Sequence, residues 1–139
     1  IIYVDFRYKE RSIYFTDYPY KNIKEEEQMA VDKSLVSGST TMLVLKLLEE
    51  KDMYGYEMID TLRGKSKNVF ELKAGTLYPL LHGLEEKGFV ESYEKEVVGK
   101  IRKYYHITRS GKKELKKKSE EWKEYSQAVL DVMGGVCFE

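Results

Sequence analysis

The segment LKAGTLYPLLHGLEEKGFV, residues 72–90, opens with an odd set for a helix built only to be stable: Lys73, Ala74, Gly75, Thr76, Tyr78 and Pro79. Behind them Leu77, Leu80, Leu81 and Leu84 form an apolar stripe at helical spacing, and Gly88 marks its end. The first turn offers different chemistry. Ala74 and Gly75 leave the backbone accessible, Thr76 supplies a hydroxyl, Tyr78 a long phenol and Lys73 a positive charge. Backbone N–H groups at a helix start attract anions, and a helix that enters a DNA groove presents its N-terminal residues to phosphates and base edges. Pro79 fits near a helix start, where a missing N–H costs least. The competing reading is packing, with Tyr78 against a neighbouring hairpin and Pro79 only setting the turn.

A second concentration of chemistry lies downstream. From Lys100 to Lys118 the bases are Lys100, Arg102, Lys103, Arg109, Lys112, Lys113, Lys116, Lys117 and Lys118, against the single acid Glu114. The whole chain has 24 basic and 24 acidic residues, so this is a local patch in a neutral protein, of a kind that suits phosphates. Lys100 and Arg102 fall at a hairpin tip and are read as DNA contacts. Lys112 to Lys118 can equally be a solvated helix face.

Catalysis has little to stand on. His82 and His106 are far apart in sequence, and Cys137 is the only cysteine. No nucleophile–base pair, Cys/His metal cluster or glycine-rich phosphate loop is recognisable, so neither an enzyme nor a cofactor is expected.

The elements that must position these residues follow from periodicity. STTMLVLKLLEEK places Leu43, Val44, Leu47 and Leu48 on one face of a helix that Ser39 or Thr40 can cap. YEMIDTLRG after Gly55 is a short helix with Ile59 and Leu62 inward and Gly64 as its stop, and the segment at residue 72 is the third helix. Phe89–Lys95 and Arg102–Thr108, rich in β-branched and aromatic residues around a glycine turn at Gly99, predict a hairpin. Thr108 then caps a long helix from Arg109 to about Met133, closed by Gly134 and Gly135. The expected fold is mainly α: a winged helix-turn-helix over residues 34–108 with a two-stranded β wing, a dimerisation helix over 109–133 and a tail over 134–139. The long helix carries Trp122, Tyr125 and Val129 on a stripe with too little surface to cover it in a small monomer, so it should pair with a second copy. Periodicity alone favours interface core for Trp122 over a ligand-stacking role.

With 139 residues, 42% of them apolar and 35% charged, the chain is sized for one soluble domain. No apolar run is long enough for a membrane span, no signal peptide is visible, and one cysteine excludes an internal disulfide, which together point to the cytoplasm. Residues 1–28 show no sustained period. Glu25 to Glu27 stand just before Met29, where purine-rich codons would match a translated ribosome-binding site. The expectation is that the natural start is Met29 and that residues 1–28 are upstream sequence, the alternative being a divergent N-terminal arm.

YGYEM (Tyr54–Met58), GTLYPLLHGLEEKGFV (Gly75–Val90) and RKYYHITRSG (Arg102–Gly111) together resemble the PadR family of transcriptional regulators. The single helix after the wing is similar to the short subfamily. The resemblance implies a cytoplasmic homodimer joined through the C-terminal helix, binding a palindromic operator on double-stranded DNA, usually as a repressor. In multidrug-responsive short members a tryptophan on the last helix faces its symmetry mate, and planar aromatic drugs stack between the two. Trp122 occupies the matching place, which allows a planar aromatic effector, although other short members keep this tryptophan without known drug binding and the inducer stays open. The rival expectation is a winged helix used as a protein-interaction module without an operator, which the neutral net charge permits.

Overall fold

The computed structural model describes residues 38–135. The expectations placed on residues 1–28, on Cys137 and on the end of the tail lie outside them.

Helix α1, Thr40–Glu50, buries Val44, Leu45, Leu47 and Leu48. Leu43, expected inward, is only partly buried. The buried face is wider and rotated because α1 is packed from several sides, by helix α2 (Gly55–Lys65), by the final helix α4 (Arg109–Val132) and by the sheet. Helix α2 buries Met58, Ile59 and Leu62. It runs through Gly64 rather than stopping there. Its end is made by Asn68 N–H donating to the Arg63 carbonyl, with Lys67 and Asn68 at φ 54° and 70°. Helix α3, Ala74–Glu86, buries Leu77, Leu81 and Leu84 against the same core, with Leu80 at its edge.

The hairpin pairs β2 (Val90–Val97) with β3 (Lys100–Ile107) in full register from Val90↔Ile107 to Val97↔Lys100. A third strand, β1, Met53–Tyr54, adds to β3 opposite Tyr105 and Tyr104, giving the order β1-β3-β2. Two residues carry no period, so this strand is invisible to pattern reading. It ties the wing to the helices, since β1 leads directly into α2.

Alternation across the sheet separates the paired tyrosines. Tyr105 faces the core with Met53, Val90 and Ile107 and is buried, whereas Tyr104 faces outward. Helix α4, 24 residues and so about 36 Å long, buries only Gly111 and Leu115. Ordering each backbone residue costs about 1–2 kcal/mol, while burying one leucine returns about 1.5–3 kcal/mol. Among the described residues, most of this helix therefore lacks tertiary support.

Candidate nucleic-acid interface

Helix α3 starts at Ala74 behind Lys73, which is extended at the N-cap position (φ −103°, ψ 154°) and provides no side-chain cap. No acidic residue stands in the first turn. The positive end of the helix dipole is therefore uncompensated from within, and Lys73 adds to it. Gly75, Thr76 and Pro79 are exposed, on the side opposite Leu77, Leu81 and Leu84, and His82 continues the same exposed face one turn on. In the sequence His82 stands out only by its distance from His106. Its place in line with Thr76 and Pro79 makes it a further candidate.

Two of the six residues turn the other way. Ala74 and Tyr78 are partly buried and pack against the hydrophobic core. The Tyr78 phenol lies over the first residue of α2, Gly55, and near Tyr105 of the hairpin. Burial pushes its phenolic pKa up, with Tyr56 adding to the effect, so the hydroxyl keeps its proton. Pro79 is the sixth residue of the helix rather than part of its first turn. Its missing N–H leaves the Gly75 carbonyl without the usual i+4 donor. That carbonyl belongs to an exposed glycine, so water can satisfy it and the proline is tolerated.

Lys100 is exposed where the wing turns into β3. Arg102 is not at the tip. It is half-buried two residues further in, with its guanidinium 4.4 Å above the Tyr54 ring. Tyr54 meets Tyr104 edge-on at 5.5 Å, Tyr104 stacks on Tyr93 at 5.8 Å, and Lys95 stands 5.5 Å over Tyr104. The outward face of the sheet is thus a row of three tyrosines edged by cations, which holds Arg102 in place.

At the other end of this face Asp52, from the turn after α1, accepts from Tyr93 Oη at 2.7 Å and lies 2.9 Å from His106 Nδ1. Burial works to raise the Asp52 carboxyl. The hydrogen bonds from Tyr93 and His106, with the charges of His106 and Lys95, outweigh it and hold the group below its ordinary value. The same bond pushes Tyr93 up to about 12.

The junction with α4 is also built from a motif. Thr108 is the N-cap: its Oγ1 accepts from Gly111 N–H at 3.0 Å and donates to the Gly88 carbonyl at 2.6 Å. Ser110 Oγ donates to the same carbonyl at 2.9 Å, and Thr108 N–H donates to Phe89 O at 3.0 Å. Beyond this junction Lys112, Lys113, Lys116 and Lys117 are exposed on α4, while Lys118 pairs with Glu114 at 3.6 Å. Trp122 and Tyr125 have ring centroids 5.9 Å apart and are 48% and 60% exposed in the single chain, with Val129 at 38%. Among the described residues no group of three His, Cys, Asp or Glu is placed to hold a metal, and no helix is long and apolar enough to cross a membrane.

A three-helix core with its third helix presenting a bare, basic N-terminus beside a β-hairpin defines a winged helix-turn-helix protein of the transcription-regulator class. The description of the transcriptional regulator PadR-like family matches residues 44–117. A protein of Lysinibacillus sphaericus is 36% identical over 107 residues, covering 76% of this chain and 98% of that one. The structure of a transcriptional regulator from Clostridium thermocellum superposes with a TM-score of 0.66 at 36% identity, covering 70% of this chain and 96% of its own. A PadR family transcriptional regulator from Eggerthella lenta gives a TM-score of 0.66 at 30% identity, over 82% and 95% of the two chains. The chain belongs to the PadR-like family and is a transcriptional regulator, not an enzyme.

Proposed function

We propose that the protein acts in the cytoplasm as a homodimeric repressor that binds a palindromic operator. The α3 helix of each protomer enters a major groove. Lys73, Gly75 and Thr76 meet phosphates or base edges there, Pro79 borders the contact, and Ala74 and Tyr78 hold the helix end from behind. Lys100 and Arg102 on the wing reach the adjacent backbone. In a two-fold dimer the half-sites are then separated by about one helical turn, roughly 34 Å. The observation that carries this reading is the start of α3, which has no side-chain cap and no acid in its first turn. Helix α1 also starts without either, but behind the buried Ser39 and Thr40, whereas Lys73, Gly75 and Thr76 at the start of α3 are exposed.

The second copy is drawn to α4, whose Trp122, Tyr125 and Val129 are exposed in the single chain. Adjacent aromatic rings on such a face also suit a planar aromatic effector stacked between the two Trp122 side chains. An effector that favoured a different spacing of the α3 helices would release DNA by population shift.

A mobility-shift assay on the region upstream of the protein's own gene, at two salt concentrations, tests the reading. With six or more phosphate contacts, affinity should fall on the order of a thousand-fold for a four-fold rise in salt. Retention that ignores both sequence and salt would instead support a winged helix serving protein interaction.

A further inference from the structure

The start of α4 carries charge that its own helix disfavours. Arg109, Lys112, Lys113, Lys116 and Lys117 are all exposed, and the first turn holds no acid. Cations near a helix N-terminus oppose its dipole. The pairs Arg109/Lys113, Lys112/Lys116 and Lys113/Lys117 stand four apart, where like charges repel. Among the described residues only Lys118 of this segment has a carboxylate partner, Glu114, and the stripe ends at Glu120 and Glu121. The five cations centre on the side of α4 opposite Gly111, Leu115, Trp122 and Val129. A second copy seated on the Trp122 face therefore leaves them in solvent. Their place in the fold sets them apart from the operator face. Thr108 and Ser110 bond the Gly88 carbonyl, just past the C-terminal end of α3. From there the mouth of α3 is 13 helical residues away, about 20 Å. The wing tip is a strand of 8 residues away, roughly 25 Å. Helix α4 packs on α1, whereas α3 packs on α2 and β2. The stripe thus begins at the end of the domain remote from both DNA-facing ends.

We propose that this stripe holds the phosphates of a second DNA duplex segment, so that one operator-bound dimer bridges two stretches of DNA. The inference rests on the DNA-binding reading above and adds a contact without sequence preference. Exposed cations that cost their helix stability and lack carboxylate partners suit a polyanion. Lysines that meet phosphates position a protein without reading bases. A membrane surface would need exposed apolar residues beside the cations, and those of α4 lie on its other side. A duplex is also the polyanion nearest to hand. A dimer held on an operator meets neighbouring segments of the same DNA at high effective concentration.

The test compares the full-length wild-type protein with a variant that combines Lys112→Gln, Lys113→Gln, Lys116→Gln and Lys117→Gln. A biotinylated duplex from upstream of the protein's own gene is fixed to beads and loaded with protein. Capture of a fluorescent duplex of shuffled sequence is then read. Wild type should capture this second duplex, with affinity down on the order of a hundred-fold for a four-fold rise in salt, as about four phosphate contacts require. The variant should load the beads within about two-fold of wild type and capture at least about ten-fold less of the second duplex. It should melt no lower, because like-charge repulsion is removed. Equal capture by the variant overturns the inference and leaves the α3 reading intact, as does wild type that loads but captures nothing. A variant that melts lower, or no longer loads, overturns it by assigning the lysines to the fold or to the operator. Polyglutamate that displaces the second duplex from wild type more readily than unlabelled duplex does overturns it in favour of an acidic protein partner. Wild-type protein that does not bind the fixed duplex overturns both readings together.

Discussion

The Tyr78 phenol occupies the space that a side chain at residue 55 would need. A Cβ built on Gly55 would overlap the Tyr78 hydroxyl and stand 2.6 Å from Cζ. The glycine of YGYEM and the tyrosine of GTLYP are thus two halves of one contact, between the first residue of α2 and the second turn of α3. That contact lies at the crossing of the two helices of the helix-turn-helix, so it helps set the direction in which the bare end of α3 points.

Gly55→Ala should tilt α3 or expel the phenol. Alanine brings a helix-propensity gain of at most about 1 kcal/mol, and the overlap should cost about 1–3 kcal/mol. A net loss in urea unfolding is expected, with operator affinity down about ten-fold. Adding Tyr78→Ala should recover part of the stability, so the two changes are less than additive. Tyr78→Ala alone should abolish operator binding in a folded dimer. Tyr78→Phe separates the roles: full DNA affinity assigns Tyr78 to packing, and a loss assigns the hydroxyl to DNA.

Gly111→Ala should be more severe, because the obstacle is backbone. A Cβ there would overlap the Phe89 carbonyl oxygen and stand 2.8 Å from Ile107 Cγ1 and 3.0 Å from Phe89 C. Neither α4 nor the Gly88–Phe89 turn can yield without breaking the Thr108 and Ser110 bonds to Gly88. A loss above about 2 kcal/mol is expected. Thr108→Val, which removes the cap and one of those bonds, should cost about 1–2 kcal/mol.

Stability should fall at both extremes of pH. Asp52 is held below its ordinary value of 3.8, so its contribution is complete above that value and disappears as pH falls through its lower folded one. Tyr93 is raised from 10.0 to about 12. Its contribution is complete below pH 10 and is lost as pH rises from there toward 12, because the unfolded chain gives up the proton first. Burial also raises Tyr78, Tyr104 and Tyr105. Tyr93→Phe should therefore shrink the alkaline fall in unfolding free energy without abolishing it, and an unchanged alkaline limb would remove Asp52–Tyr93 as its source.

Trp122→Ala should weaken self-association by about 2 kcal/mol or more, roughly thirty-fold in the dimer dissociation constant. Trp122 is the chain's single tryptophan, so its fluorescence reports this face alone. Quenching by a planar aromatic dye is expected in wild type. Fluorescence indifferent to such dyes would make Trp122 plain interface core.

Lys100→Ala should lower DNA affinity across all sequences and reduce the slope of log affinity against log salt by about 1. Arg102→Ala should do more than that. It also uncovers the Tyr54 ring, so some loss should persist at high salt.

The sequence by itself determined the order of the elements, the winged helix and the unusual mouth of α3. Periods of 3.6 and 2 are local properties, and small or hydroxylated residues stand out where a core would want leucine. It also placed the Thr108 cap, because capping is a local hydrogen bond. Only the tertiary structure decided which way each mouth residue faces. Tyr78 and Ala74 point inward because Gly55 and the core lie beneath them, and the exposed line became Gly75, Thr76, Pro79 and His82. The same is true of β1, two residues held by hydrogen bonds to a strand some fifty positions away, and of Leu45, buried because α1 is packed from several sides. Direction and pairing depend on what lies across a gap in space, and a one-dimensional pattern carries no record of that neighbour.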